Sequence, residues 1–150
     1  MKINELKPED VDSAVQHWTE NWEQSGDSSP TEEDTQRLLR VLHGYTSCDQ
    51  VCCYVAKDGQ ETVGFITGSL SSHPVMEGLA GEIEELYVRP QYRESGAGAD
   101  LVRHTMSFLL EKGASVLRTH IDINDEESKE FWERLGWLKD LRTFSLYSDA

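Results

Sequence analysis

Long apolar runs are missing from this 150-residue chain. No stretch approaches the roughly 20 consecutive apolar residues that a membrane-spanning helix needs, so no membrane partner is expected. Met1-Lys2-Ile3-Asn4-Glu5 meets polar residues at once and does not open a secretory signal, which makes the cytoplasm the expected address. Basic residues are scarce: 14 stand against 28 acidic ones, and only six of the 14 are lysine. The net charge of −14 repels phosphates and excludes nucleic acid as an expected partner. It is compatible with a cationic substrate, with salt adaptation and with plain solubility, and composition does not choose among them. Cysteine is limited to Cys48, Cys52 and Cys53. An odd count without a secretory signal is no disulfide framework. No second Cys/His cluster offers metal-ligand spacing, so no metal is expected. Cys52 and Cys53 are neighbours in a strand-like run and should point to opposite faces.

What is present fits one domain spanning 1–150, long enough for a substantial core. Lys2 to Leu6 alternates as a short strand does. Pro8-Glu9-Asp10 starts a helix whose apolar face is Val11, Ala14, Val15, Trp18 and Trp22. Ser25 to Pro30 breaks it. A second helix follows, capped by Thr31 with Asp34 three residues on, with Leu38, Leu39, Val41 and Leu42 as its stripe. Gln50 to Ala56 and Thr62 to Leu70 are strands joined around Asp58-Gly59. Ser71 to Ala80 reads as a loop and Glu82 to Val88 as another strand. Ser95 to Lys112 is a helix ended by Gly113, Val116 to Ile123 a strand, and Ser128 to Leu135 a helix ended by Gly136. Trp137 to Tyr147 supplies one or two final strands. The predicted order is β-α-α-β-β-β-α-β-α-β-β. This is an α/β (α+β) domain with a mixed, mostly antiparallel sheet of six to seven strands and about four helices on its two faces.

The most informative segment is Tyr92-Arg93-Glu94-Ser95-Gly96-Ala97-Gly98-Ala99, which opens a helix directly after an apolar strand and a proline. A helix start leaves its first N–H groups unpaired and carries roughly half a positive charge. Glycines there let an anion approach the backbone, and Arg93 could add a fork of donors. A dinucleotide fingerprint would need Gly or Ala where Leu101 stands, and the Gly-Lys-Ser/Thr ending of a P-loop is absent.

Gly81-Glu82-Ile83-Glu84-Glu85-Leu86-Tyr87-Val88-Arg89-Pro90 runs into this cradle, and Phe131-Trp132-Glu133-Arg134-Leu135-Gly136-Trp137 follows some 30 residues later. Together these resemble the GCN5-related N-acetyltransferase (GNAT) superfamily, in its Arg/Gln-x-x-Gly-x-Gly/Ala acyl-CoA motif and its later aromatic-x-x-x-Gly-aromatic motif. The element order agrees over the whole chain. The resemblance implies acetyl-CoA as cofactor. Its pantetheine arm would lie along Leu86, Tyr87 and Val88, and its pyrophosphate on the backbone of Glu94, Ser95, Gly96, Ala97, Gly98 and Ala99, helped by Arg93. Asn124, Asp125 and Ser128 match a further cofactor-contacting stretch; the first two also read as a helix cap. Glu84, two residues before Leu-Tyr-Val, is the implied general base, acting on an amine through water. Glu82 shares its face by alternation, and Glu85 should face the other way as a surface or helix partner.

The chain departs from the family pattern in three places, the first being Asp125 where the family often has Asn, with Asn124 one residue away. Trp132 stands where a tyrosine often protonates the leaving thiolate, and an indole N–H is too weak an acid for that. Tyr87, His120 and Tyr147 are other donors, none favoured by spacing. Glu94 and Ser95 stand where Gly and a basic residue are frequent. Trp18 and Trp22, with Asp27, Glu32 and Glu33, could form an aromatic, acidic mouth for an amine; at helical spacing the tryptophans also read as core. The implied activity is acetyl transfer to a primary amine of a small molecule or peptide. Acetylation of a protein N-terminus or lysine, or a catalytically weak acyl-CoA-binding sensor, are the alternatives. Edge strands expected at the C-terminus would need cover, which a homodimer could give.

Overall fold

The computed structural model describes residues 1–24, 28–72 and 78–148. The chain divides into two compact units, Met1–His120 and Ile121–Ala150. In the first, five strands follow one another in both sequence and space: β1 (Lys2–Glu5), β2 (Val51–Asp58), β3 (Glu61–Ser72), β4 (Leu79–Val88) and β5 (Ala114–Thr119). Their pairings are antiparallel up to β4, and β4 with β5 is parallel. The parallel step needs a crossover, which α3 (Ala97–Glu111) provides.

Helices α1 (Val11–Gln24) and α2 (Glu32–Tyr45) lie on one face of this sheet and α3 on the other. Val11, Ala14 and Val15 of α1 meet Leu42, Cys53, Val55, Phe65 and Tyr87 in one buried cluster. Trp18 extends it, its ring 5.7 Å from that of Phe65. On the opposite face Leu101, Val102, Thr105 and Leu109 of α3 are buried. The expected division of the adjacent thiols holds. Cys53 belongs to the α1/α2 cluster, whereas Cys52 lies near Gly68 and Thr105 on the α3 face. The Thr31/Asp34 capping box is formed as read from the sequence, with Asp34 N–H donating to Thr31 Oγ1 at 3.1 Å and Thr31 N–H to Asp34 Oδ2 at 2.9 Å.

The ladder between β3 and β4 is not regular. Thr67 opposes Glu85 and Gly68 opposes Ile83, so Glu84 has no partner across the strand. One extra residue in one strand is a β-bulge, and it resets the alternation beyond it. Gly81 faces α3, since a Cβ there would meet Leu109 and Leu117. Strict alternation would carry Glu85 to that same face; the bulge turns it to the α1/α2 side.

The second unit contains α4 (Glu126–Arg134). Within it Trp132 packs edge-on against Phe131 and Trp137, with ring centres 5.3 and 4.7 Å away. The sequence predicted six to seven strands, the last from Trp137 to Tyr147. Among the described residues there are five, and 137–148 holds none. Alternating apolar residues make a strand only where a ladder partner exists. Here Leu138, Phe144, Leu146 and Tyr147 are exposed instead. No helix among the described residues is long and apolar enough to cross a membrane.

Candidate functional site

The pairing of β4 with β5 ends at Ile83 and Thr119, although β4 runs on to Val88. From Glu84 onward, therefore, the β5-side edge of β4 carries no strand ladder among the described residues. Arg89 N–H donates to Val63 O of β3 at 2.9 Å, so by alternation the polar groups of Val88 and Leu86 point to the open edge. Arg93 Nε donates to Val88 O at 2.9 Å, which confirms the direction of that carbonyl. Leu86 thus presents an unladdered N–H and C=O, a ready edge for an extended amide chain.

At the end of this edge the chain turns through Pro90–Tyr92 into Gly96 and α3. Gly96 is held at φ 88°, in the left-handed region that favours glycine, and a Cβ there would meet nothing within 4 Å. The space beside it is open, while Ala97 and Gly98 are buried. The N–H groups of Gly98 and Ala99 lie in the first turn, where no helical carbonyl precedes them. Ser95 is tied locally: its Oγ donates to Tyr92 O at 2.5 Å and accepts from Ala97 N–H at 3.3 Å. Glu94 is exposed. These residues fit a diphosphate lying on backbone amides.

Arg93 and Arg89 bind the cradle to α1. The Arg93 guanidinium donates to Gln24 Oε1 at 3.3 Å and lies 5.9 Å from the Tyr87 ring centre. Gln24 Nε2 donates in turn to Tyr87 Oη at 3.3 Å. Arg89 reaches Glu20 of α1 at 3.3 Å and Glu61 at the start of β3. Burial alone would raise the Glu20 pKa, but the Arg89 guanidinium outweighs it and holds that carboxyl below the usual range. His17, buried beside Glu20, donates from Nε2 to Thr62 O at 2.5 Å.

The catalytic candidates lie on the other face of β4. A cavity of about 240 Å³ is lined by Trp18, Val41, Leu42, Tyr45, Thr67, Glu84 and Glu85. Tyr45 Oη donates to Glu84 Oε1 at 2.7 Å. Glu85 N–H donates to Thr67 Oγ1 at 3.2 Å. Burial, with the neighbouring Glu84 charge adding to it, pushes the Glu85 carboxyl above the ordinary carboxylate value. Burial and the Glu84 carboxylate together raise the Tyr45 phenol well beyond neutral pH, so it stays a donor.

Alternation had assigned Glu85 elsewhere, and the bulge corrects this by pairing it with Glu84 in one cavity. Glu82 does not line that cavity; its Oε1 meets His120 Nδ1 at 3.0 Å. Trp18 is in the cavity wall, whereas Trp22 lines a neighbouring groove of about 190 Å³ with Trp18, Pro30, Leu38 and Val41. Glu32 and Glu33 line neither, and Asp27 lies outside the described residues. Tyr45 and Thr67 were missed by the sequence reading. Tyr45 had a signal, because it continues the Leu38, Val41, Leu42 stripe of α2 at helical spacing.

In the second unit Asp125 caps α4, accepting from Ser128 N–H at 3.0 Å and from Ser128 Oγ at 2.7 Å. Asn124 N–H donates to Asp122 Oδ1 at 2.8 Å. Of the other proton donors considered, Tyr87 is buried with Gln24 on its hydroxyl, and Tyr147 is exposed.

Comparison with known proteins agrees with this scaffold. The model of the acetyltransferase (GNAT) family matches residues 12–137. Human N-alpha-acetyltransferase 30 is 30% identical over 95 residues, covering 63% of this chain but only 26% of the human protein. An uncharacterized N-acetyltransferase of Archaeoglobus fulgidus is 26% identical over 134 residues, 88% of this chain and 89% of the other. Among solved structures, a transcriptional regulator from Bacillus halodurans C-125 superposes with a TM-score of 0.82 at 18% identity, over 98% of this chain and 99% of that one. The fold is that of an α/β acetyltransferase. The chain belongs to the GNAT family.

Proposed function

We propose that the chain is an acetyl-CoA-dependent N-acetyltransferase acting on a primary amine of a small molecule or peptide by direct attack in a ternary complex. The observation that carries this reading is the continuity of β4: one strand offers an unladdered backbone edge from Glu84 to Val88, ends at the Gly96 amide loop, and lines the carboxylate cavity on its other side. Leu86, Tyr87 and Val88 would hold the pantetheine arm, and residues 94–99 the diphosphate, with Arg93 ordering the loop. Asn124, Asp125 and Ser128 are proposed as further cofactor contacts. Acetyl-CoA, when bound, supplies an acetyl group activated as a thioester. Glu84 takes the ammonium proton through a water, which leaves the nitrogen lone pair free to attack. Tyr45 fixes the Glu84 carboxylate by its 2.7 Å hydrogen bond. Trp18 and Trp22 border the acceptor, and Glu82 of β4, paired with His120, is proposed as a further acceptor contact.

Calorimetry with acetyl-CoA and thiol release over a panel of amines test this reading. Acetyl-CoA should bind, and Glu84→Gln should lower kcat about 100-fold, the lower end of what a positioned base contributes. No binding of acetyl-CoA would overturn it. The similarity to a relative named N-alpha-acetyltransferase favours one variant of the reading, in which the amine is a protein N-terminus. A sensor that binds acyl-CoA without turnover is the outcome if binding is tight and Glu84→Gln changes nothing.

A further inference from the structure

Two consecutive carboxylates on one face of a strand are a consequence of the bulge, since regular alternation would separate them. Among the described residues around their cavity there is no Lys, Arg or His. The Tyr45 hydroxyl serves Glu84 alone. Glu85 is half-buried beside the exposed Glu84 with no counter-charge in the cavity wall, and a cation entering between them relieves the repulsion of the two carboxylates.

The neighbouring groove has the opposite character. It shares Trp18 and Val41 with the carboxylate cavity, so the two are continuous along one wall. Its other walls include Trp22, Pro30 and Leu38. Its charged residues are already engaged: Asp34 accepts from Thr31 at the α2 cap and pairs with Arg37. The groove measures about 190 Å³. An apolar cavity of about 150 Å³ can accept benzene, so a phenyl or branched alkyl group is within its capacity.

We infer that the acceptor is an amphipathic primary amine, its ammonium between Glu84 and Glu85 and its apolar substituent running past Trp18 and Val41 into the groove toward Trp22. This rests on the acetyltransferase reading above and narrows its substrate class. A polar polycation is disfavoured, because the one carboxylate of the groove, Asp34, is already held by Thr31 and Arg37, which leaves only the Glu84/Glu85 end for a cation. In the transfer, the ammonium nitrogen loses one proton to Glu84 through water, its lone pair forms the C–N bond as the thioester C–S bond breaks, and the second nitrogen proton ends on the departing thiolate, so that coenzyme A leaves as the thiol.

The test is kcat/KM of the full chain with acetyl-CoA for propylamine, butylamine, hexylamine, phenethylamine, ethanolamine and spermidine, read by thiol release. Each methylene buried should raise kcat/KM about fourfold until the groove is filled. Ethanolamine and spermidine should fall below propylamine. Val41→Asp should collapse the hexylamine-to-propylamine ratio toward one, and Glu85→Gln should raise KM for every amine. Circular dichroism of both variants separates these effects from unfolding. A second arm with tripeptides beginning in Leu or Ser tells a free amine from a peptide N-terminus as the source of the same chemistry. Acetyl transfer with a flat chain-length profile, or with spermidine preferred, would overturn the substrate class and leave the acetyltransferase standing. Acetyl-CoA binding with no transfer to any of these amines would overturn both.

Discussion

The hydroxyl of Tyr45, at the last turn of α2, donates to Glu84 at the bulge of β4 across 2.7 Å. The residues are 39 apart in sequence, and this bond joins the helix wall of the acceptor cavity to the strand that carries the carboxylates. Tyr45→Phe removes the donor and keeps the ring. Stability should change by about 1 kcal/mol or less, the net worth of one hydrogen bond. Turnover should drop about tenfold through loss of carboxylate orientation, with acetyl-CoA affinity unchanged. Calorimetry beside steady-state kinetics checks the split.

Glu85 gives a pH signature of opposite sign to an ordinary salt-bridged acid. Its folded pKa is raised above 4.5 by burial and by Glu84, so the folded chain holds that proton more tightly than the unfolded chain. Stability is therefore lost as pH rises from the ordinary carboxylate range through the raised value, and regained on acidification. Glu85→Gln abolishes this loss. The variant should melt higher than the parent at pH 7.5 and equally at pH values below about 4, where the Glu85 carboxyl is protonated in both states. A constant difference across that range would mean that Glu85 ionisation is not its cause.

Gly96 and Gly64 separate cofactor binding from stability. Any side chain at Gly96 must adopt φ 88°, costing about 1–2 kcal/mol, and would project into the open space of the cradle. Gly96→Val should weaken acetyl-CoA at least tenfold while the domain stays folded. At Gly64 a Cβ would stand 2.7 Å from the backbone carbonyl of Tyr87. Gly64→Ala should cost about 1–3 kcal/mol by overpacking, visible in urea denaturation. Equal loss of cofactor affinity in both variants would deny Gly96 its specific role.

The thiols should differ in reactivity. Cys48 is exposed, while burial pushes Cys52 up to about 12 and Cys53 still higher. One thiol per native chain should react rapidly with a disulfide reagent at pH 8, and three after denaturation. Two fast thiols would show that β2 opens.

Much of this arrangement was legible because local chemistry fixes it. The Thr31 cap is a contract between residues three apart, and the Asp58-Gly59 connection joins strands that meet immediately. The cradle is equally local, since Gly96 needs no distant partner to require glycine. The bulge was not read because alternation describes a regular ladder, and the residue that breaks it, Glu84, carries no Gly to mark the spot. A trace did exist. Ile83 and Leu86 are apolar three residues apart, which period two cannot place on one face without an extra residue between them. The final strands failed for a different reason. The pattern in Trp137 to Tyr147 describes side chains, whereas a strand is defined by a neighbour's backbone.

The bulge also determines which changes this chain can inherit. Loops accept insertions because no ladder runs through them, but β4 counts every paired residue. Deleting any residue of β4 other than the unpaired Glu84 would shift the ladder and exchange inside for outside on one half of the strand. Either the Gly81 side would thrust a larger neighbour into Leu109 and Leu117, or Tyr87 would leave its packing against α1. Acceptor chemistry can therefore drift by substitution at positions 84 and 85, while the length of the strand beneath them is held constant.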